Sequence, residues 1–235
     1  MYKYSLFILL ILCGINLKSQ NSVEISFSRY QSFRMLIYDQ NNEILKKIAT
    51  AREIDDKKVG VFEFGVNKFW KYNTYINLGL GLNYSRMGYH LNEISGYRWP
   101  SEITATGYKF DPSLPHELRL SNFVSYIEIP IIVEYNSNSK IQFSPSISLV
   151  NQLYLNSLSR VKTDLGSSSS SGRDDIVSPY NIAFVGNLAI GYRINDFVLK
   201  LGLSYKNQLF VAINEDIQEK LFSYGWNLST RYLLK

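Results

Sequence analysis

The chain reads as an all-β protein, an eight-stranded antiparallel up-and-down transmembrane β-barrel with long outer loops and short periplasmic turns. Three observations predict it. Apolar and polar residues alternate with period two over segments of ten or more residues, the pattern of strands with one oily face. The connections between those segments alternate long and short, so every short turn falls at one end, as in outer-membrane barrels with an even number of strands. Aromatic residues, 14% of the chain with 18 Tyr and 13 Phe, gather near segment ends, where a barrel meets the two faces of a bilayer.

The first element is a leader. Residues 1–19 read as a secretory signal peptide, with Lys3 as a basic start, an apolar stretch from Leu6 to Ile15 and a cleavage point at Ser19-Gln20, leaving 20–235 as the barrel. The only cysteine, Cys13, lies in that leader, so the mature chain is expected to hold no disulfide and no thiolate metal site. A lipid anchor on Cys13 is the other reading; Leu12 stands where such a motif wants a small residue. Of the formal charge of +5, two positive charges belong to Lys3 and Lys18.

Eight strand segments follow, at roughly Ser22 to Tyr30, Val59 to Lys68, Asn73 to Tyr89, Asn122 to Tyr135, Lys140 to Leu155, Tyr180 to Arg193, Phe197 to Val211 and Leu221 to Leu234. In the third, Ile76, Leu78, Leu80 and Leu82 alternate with Asn77, Gly79, Gly81 and Asn83; in the fourth, Ile127, Ile129, Ile131 and Val133 alternate with Tyr126, Glu128, Pro130 and Ile132. The seventh sets Leu199, Leu201 and Leu203 against Lys200, Gly202 and Ser204. If Gln31 to Tyr38 forms a longer hairpin with the first strand, the strand count rises by two.

Periodicity does not say whether the oily face points into a core or into lipid. The polar face decides, because it is dominated by Gly, Ser and Asn, which suit a narrow lumen, rather than by the Lys, Glu and Thr of a water-facing wall. Most segments are also long enough to cross a bilayer at a tilt. Phe69, Trp70, Tyr72, Tyr135, Tyr192, Phe197 and Tyr232 form the expected ring at the short-turn end; Tyr84, Phe123, Tyr180, Phe210 and Phe222 form the opposite one. The outer membrane of a Gram-negative cell is the expected location, with its lipid as the surrounding partner.

Charged residues make up only 19% of the chain, below the share of disordered or coiled-coil chains. No apolar run is long enough for a transmembrane helix. Lys and Arg are scattered rather than gathered in a stripe, which argues against a nucleic-acid partner. Gly79-Leu80-Gly81 lies in mid-strand, where a phosphate-binding turn has no helix to open, so no nucleotide or other cofactor is expected.

The stretch YIEIPIIVEY (Tyr126 to Tyr135), preceded by GLGLNYSRMGY (Gly79 to Tyr89) and followed by FSPSISL (Phe143 to Leu149), resembles the PorT-like outer-membrane β-barrel family over nearly the whole mature chain. The resemblance implies a barrel like the small OmpA and OmpX barrels. It transfers no catalytic residue, and the family's namesake is associated with protein secretion through the type IX system. The chain departs from the family pattern at Ser144-Pro145 and at its last residue, Lys235.

With the oily face outside, Glu24, Glu63, Glu128, Lys200 and Arg231 point into the lumen, where an unpaired charge is costly and partners are required. Glu24 begins the first strand and Arg231 ends the last, so closing the barrel brings them together. This network is read as packing; a gate or proton path is the alternative. The expected non-enzymatic role is a scaffold that contacts another envelope or surface protein, with a passive structural or adhesion barrel as the alternative. Tyr97, Arg98, Trp99 and Tyr108 of the second outer loop are its contact groups, because aromatics and Arg dominate binding hot spots. His90 and His116 are read as solvated loop residues; the competing readings are an acyl-transfer site with Ser101 or Ser113 and a metal site with a nearby carboxylate. The first outer loop predicts an amphipathic helix with Ile44, Leu45, Ile48 and Ala51 on its apolar face, and the serine tract Gly166 to Gly172 predicts a flexible loop tip.

Overall fold

In a computed structural model, the protein is described over residues 21–91, 94–95, 100–104, 107–110, 117–137, 139–213 and 216–234. The leader therefore lies outside the described residues. Eight long strands form the barrel: β1 (Asn21–Ile37), β2 (Val59–Lys71), β3 (Ile76–Leu91), β4 (Glu117–Tyr135), β5 (Ile141–Thr163), β6 (Tyr180–Ile194), β7 (Phe197–Gln208) and β8 (Gln218–Leu233). Each pairs antiparallel with its neighbour in sequence, and β8 returns to β1 from Ser22↔Leu233 to Ile37↔Gln218, closing the ring. Closure leaves no open edge along the transmembrane wall, the condition for a sheet to span lipid.

The short connections at one end are built by side chains that satisfy the turn backbone. Asn73 Oδ1 accepts from the amides of Tyr75 and Ile76, both at 2.8 Å. Between β6 and β7 only Asn195 and Asp196 intervene, and Asn195 takes a left-handed φ of 53°, a conformation Asn tolerates better than most residues.

The opposite ends of several strands extend beyond the segments the alternation marks out. β1 runs on to Ile37 as one continuous strand, so Gln31 to Tyr38 adds length and not a hairpin. β4 starts five residues earlier, at Glu117, and β5 runs to Thr163. The serine tract is not a flexible tip: Gly166–Gly172 is a strand paired with Ser157 to Thr163 of β5. Outside the bilayer the outward face no longer has to be apolar, so the period-two signal fades while the ladder continues.

The outward face carries the apolar surface. Leu203 is 69% exposed and Leu201 61%, and Ile25, Phe64, Val66, Leu82, Ile147, Leu188, Ile190 and Leu228 are exposed with them. A contiguous belt of this size is foreign to a water-soluble wall and is the lipid-facing surface of a transmembrane barrel. Tyr72, Tyr75, Tyr135, Tyr192, Phe197 and Tyr232 are exposed at the short-turn end, giving the girdle at that interface. Phe69 does not belong to it: its ring is buried in the lumen, because the β2 alternation turns it inward and Gly79 leaves it room. A Cβ at Gly79 would stand 2.7 Å from the Phe69 ring. The protein is thus an integral outer-membrane β-barrel.

Candidate functional site

The lumen is filled by two groups of charge. Nearest the short turns, Glu24 of β1, Glu134 of β4, Lys200 of β7 and Arg231 of β8 form a quartet. Glu24 and Arg231 are cross-strand partners, and the Arg231 Nε donates to Glu24 at 2.9 Å. The rest of the guanidinium crosses to the opposite wall and forks onto Glu134 at 2.6 and 2.8 Å. Lys200 Nζ donates to Glu134 at 2.7 Å and lies 3.3 Å from Glu24. The Arg231 Cζ sits 3.7 Å above the Phe69 ring. Two carboxylates and two cations thus balance, held by bidentate geometry and a cation–π contact.

Higher in the barrel, Lys206 of β7 reaches both Glu63 of β2 and Glu128 of β4. Asn83 donates to Glu63 at 3.0 Å, and Gln152 donates to Glu128 at 2.7 Å, where Ser85 also donates. Gln208 continues the chain by donating to Gln152 at 2.9 Å. Above that, Met87, Tyr126, Tyr154 and Leu221 pack into a buried plug. The cavity lined by residues of both groups measures about 70 Å³, room for about two waters.

Glu134 and Lys206 were absent from the sequence-derived network, although both carry the parity of residues in it: Glu134 that of Glu128, Lys206 that of Lys200. Following each lumen row to its end would have found them. The fork from Arg231 to Glu134 joins strands four places apart round the ring and has no counterpart in the linear pattern.

Above the plug the mouth is built by a third ionic cluster. Arg34 of β1 forks onto Asp56, with both bonds at 2.7 Å, donates to Glu219 at 2.6 Å and stacks on the Tyr89 ring at 3.9 Å. Asp56 directly follows the helix α1 (Glu43–Asp55), so Arg34 ties the end of that helix to the wall. Asn42 caps its start, accepting from the amides of Ile44 and Leu45. The helix docks through Ala49 and Leu45 against Leu36, Tyr38 and Ile217. Ile44 and Ile48 of the expected apolar face are exposed instead, because the small Ala49 is what lets the helix approach. The vestibule beneath the loops has a volume of about 320 Å³ and is lined by Arg34, Arg52, Tyr89, Asn122, Asp174 and Glu219 among others.

Of the expected contact groups, Tyr97, Arg98 and Trp99 lie outside the described residues, as does His116. Tyr108 falls on a short strand, Gly107–Phe110, paired with Pro100–Thr104. His90 lies opposite Ser121, with its Nδ1 2.8 Å from the Ser121 Oγ. Among the described residues no three His, Cys, Asp or Glu side chains group as metal ligands.

No protein-family model matches the chain, and no curated protein does. Among solved structures it is similar to Neisserial surface protein A, at 14% identity over 90% of this chain and 97% of that chain, with a TM-score of 0.40. It is similar also to the attachment invasion locus protein Ail of Yersinia pestis, at 10% identity over 89% and 99%, TM-score 0.34. The outer-membrane protease OmpT of Escherichia coli matches at 8% identity over 93% and 98%, TM-score 0.43. These likenesses are too distant to bear on activity; the fold rests on the closed ring and the apolar belt.

Proposed function

We propose that this barrel is a non-enzymatic scaffold that contacts another envelope or surface protein at its outer end. The observation that carries the reading is an open strand edge. Gly166–Gly172 pairs with β5 on one side and, among the described residues, ends the sheet on the other, with every residue exposed. A row of free backbone N–H and C=O groups is a template for a strand from another chain. No charge or proline within this tract blunts it. The filled lumen favours a scaffold over a pore. The resemblance to the PorT-like family supplies the finer part of the proposal, an accessory role in protein secretion.

A proline placed singly at Ser168 and at Ser169 removes an N–H from each side of the strand in turn. After brief crosslinking in mildly solubilised outer membranes, the native chain should carry a stoichiometric partner. The substitution facing the open edge should lose it while the barrel still assembles. A barrel that comes alone, or a partner held equally by both variants, contradicts the reading.

The His90–Ser121 contact favours a second reading, acyl transfer at the outer rim. It requires an ester or amide hydrolysis that disappears in Ser121→Ala.

A further inference from the structure

An arginine on a lipid-facing wall is costly unless it reaches the headgroups. Two stand on the outward faces of β1 and β3, the strands that flank β2. Arg29 follows Ile25 and Phe27 on the outward row of β1 and pairs across to Phe62 of β2. The β2–β3 register, Glu63↔Ser85 and onward, sets Arg86 on the other side of Phe62. With strands about 4.8 Å apart, the two arginine backbones stand about 10 Å from each other, close enough for both guanidinium groups to converge on one anion.

Arg86 sits where the apolar row of its own strand gives way, and Arg29 where the β1 row is broken by Gln31 before Phe33, Met35 and Ile37 resume it. Below Arg86 the outward row of β3 is Ile76, Leu78, Leu80 and Leu82, interrupted only by Tyr84; above it comes His90, beyond a bare Gly88. Arg29 leans towards the outer rim over Gly60, which pairs with the next outward residue, Gln31. A Cβ at Gly60 would stand 2.6 Å from the Arg29 Nη2, so glycine is what opens that path. The Arg86 guanidinium lies 5.6 Å from the Phe62 ring and 5.8 Å from the Phe123 ring, and donates to the Tyr84 Oη at 3.2 Å. Its Nε is buried without a hydrogen-bond partner among the described residues. Among those residues neither arginine has a carboxylate within ion-pair distance, whereas Arg34 and Arg231 each have two.

We propose that Arg29 and Arg86 together hold the phosphate of an anionic lipid in the outer leaflet, with Phe62 and Phe123 against the start of its acyl chains. The charge is complementary, and the two guanidinium groups present several donors to a tetrahedral oxyanion. Lipid is the molecule that meets this height of the wall.

The test is native mass spectrometry of the refolded full chain in detergent, titrated with bisphosphorylated lipid A. The expected result is one retained lipid. Removing its phosphates should abolish retention, and the double variant Arg29→Gln with Arg86→Gln should weaken it at least tenfold. Lys68→Gln, at an exposed lysine near the short-turn end, should leave it unchanged. Glutamine is the milder residue on this wall, so the double variant is expected to fold, and phosphate removal probes the same contact on the unmodified chain. Equal retention by the double variant, or of the dephosphorylated lipid, overturns the proposal. Inorganic phosphate binding as tightly as the lipid would mark a site for the free anion and overturn the lipid assignment.

Discussion

The two charge groups inside the barrel solve the same problem with different stoichiometry. The quartet sets two carboxylates, Glu24 and Glu134, against two cations, Lys200 and Arg231. The triad sets two, Glu63 and Glu128, against Lys206 alone and makes up the shortfall with neutral donors from Asn83, Ser85 and Gln152. The difference teaches that polar filling of a narrow lumen does not require charge neutrality layer by layer, provided every carboxylate oxygen can find a donor. It also ranks the residues. A cation shared by two acids with no second cation nearby is the hardest to lose.

The largest expected effect is therefore at Lys206. Lys206→Met leaves Glu63 and Glu128 buried without a counter-charge and should cost about 3–5 kcal/mol, read by urea unfolding of the refolded barrel in micelles. Adding Glu128→Gln to that variant should recover a good part of the loss. Next comes Arg231→Met, which strips Glu24 and Glu134 of their fork but leaves them Lys200; a loss of about 3 kcal/mol is expected in the same assay. If Arg231→Met proves the worse of the two, sharing and not geometry is the wrong way to rank them. Glu134→Gln should cost about 2 kcal/mol, since it leaves two cations facing Glu24 alone. The smallest effect is at Glu63→Gln, which keeps one carboxylate for Lys206 and should cost less than about 1 kcal/mol. A loss at Glu63→Gln equal to that at Glu134→Gln would erase the contrast between the two groups.

The membrane-spanning half of the fold was legible because lipid outside and a filled lumen inside force period two on every strand. Leu199 to Ser204 shows this residue by residue. The outer half was not. Gln31 to Ile37, Glu117 to Ser121 and Asn156 to Thr163 continue their ladders with mixed faces, and the serine strand has no contrast between its faces at all. Its structure comes from pairing with β5, which a linear pattern does not record. In the lumen, the Glu24–Arg231 neighbour was readable from register, since the first and last strands of a closed barrel must meet. The fork from Arg231 across to Glu134 depends on barrel diameter and tilt. Phe69 shows a subtler limit: an aromatic near a strand end reads as girdle, yet parity sends it inward beneath Arg231.

Side chains fill the lumen, and the contacts proposed above lie on the outer surface of the barrel. Conductance of the purified full chain in planar bilayers tests that filling most directly. The account predicts no open-channel current for the native protein. A steady conductance from the native chain, abolished by an antibody or crosslink at the barrel mouth, would contradict it and return the lumen charges to the role of a gate.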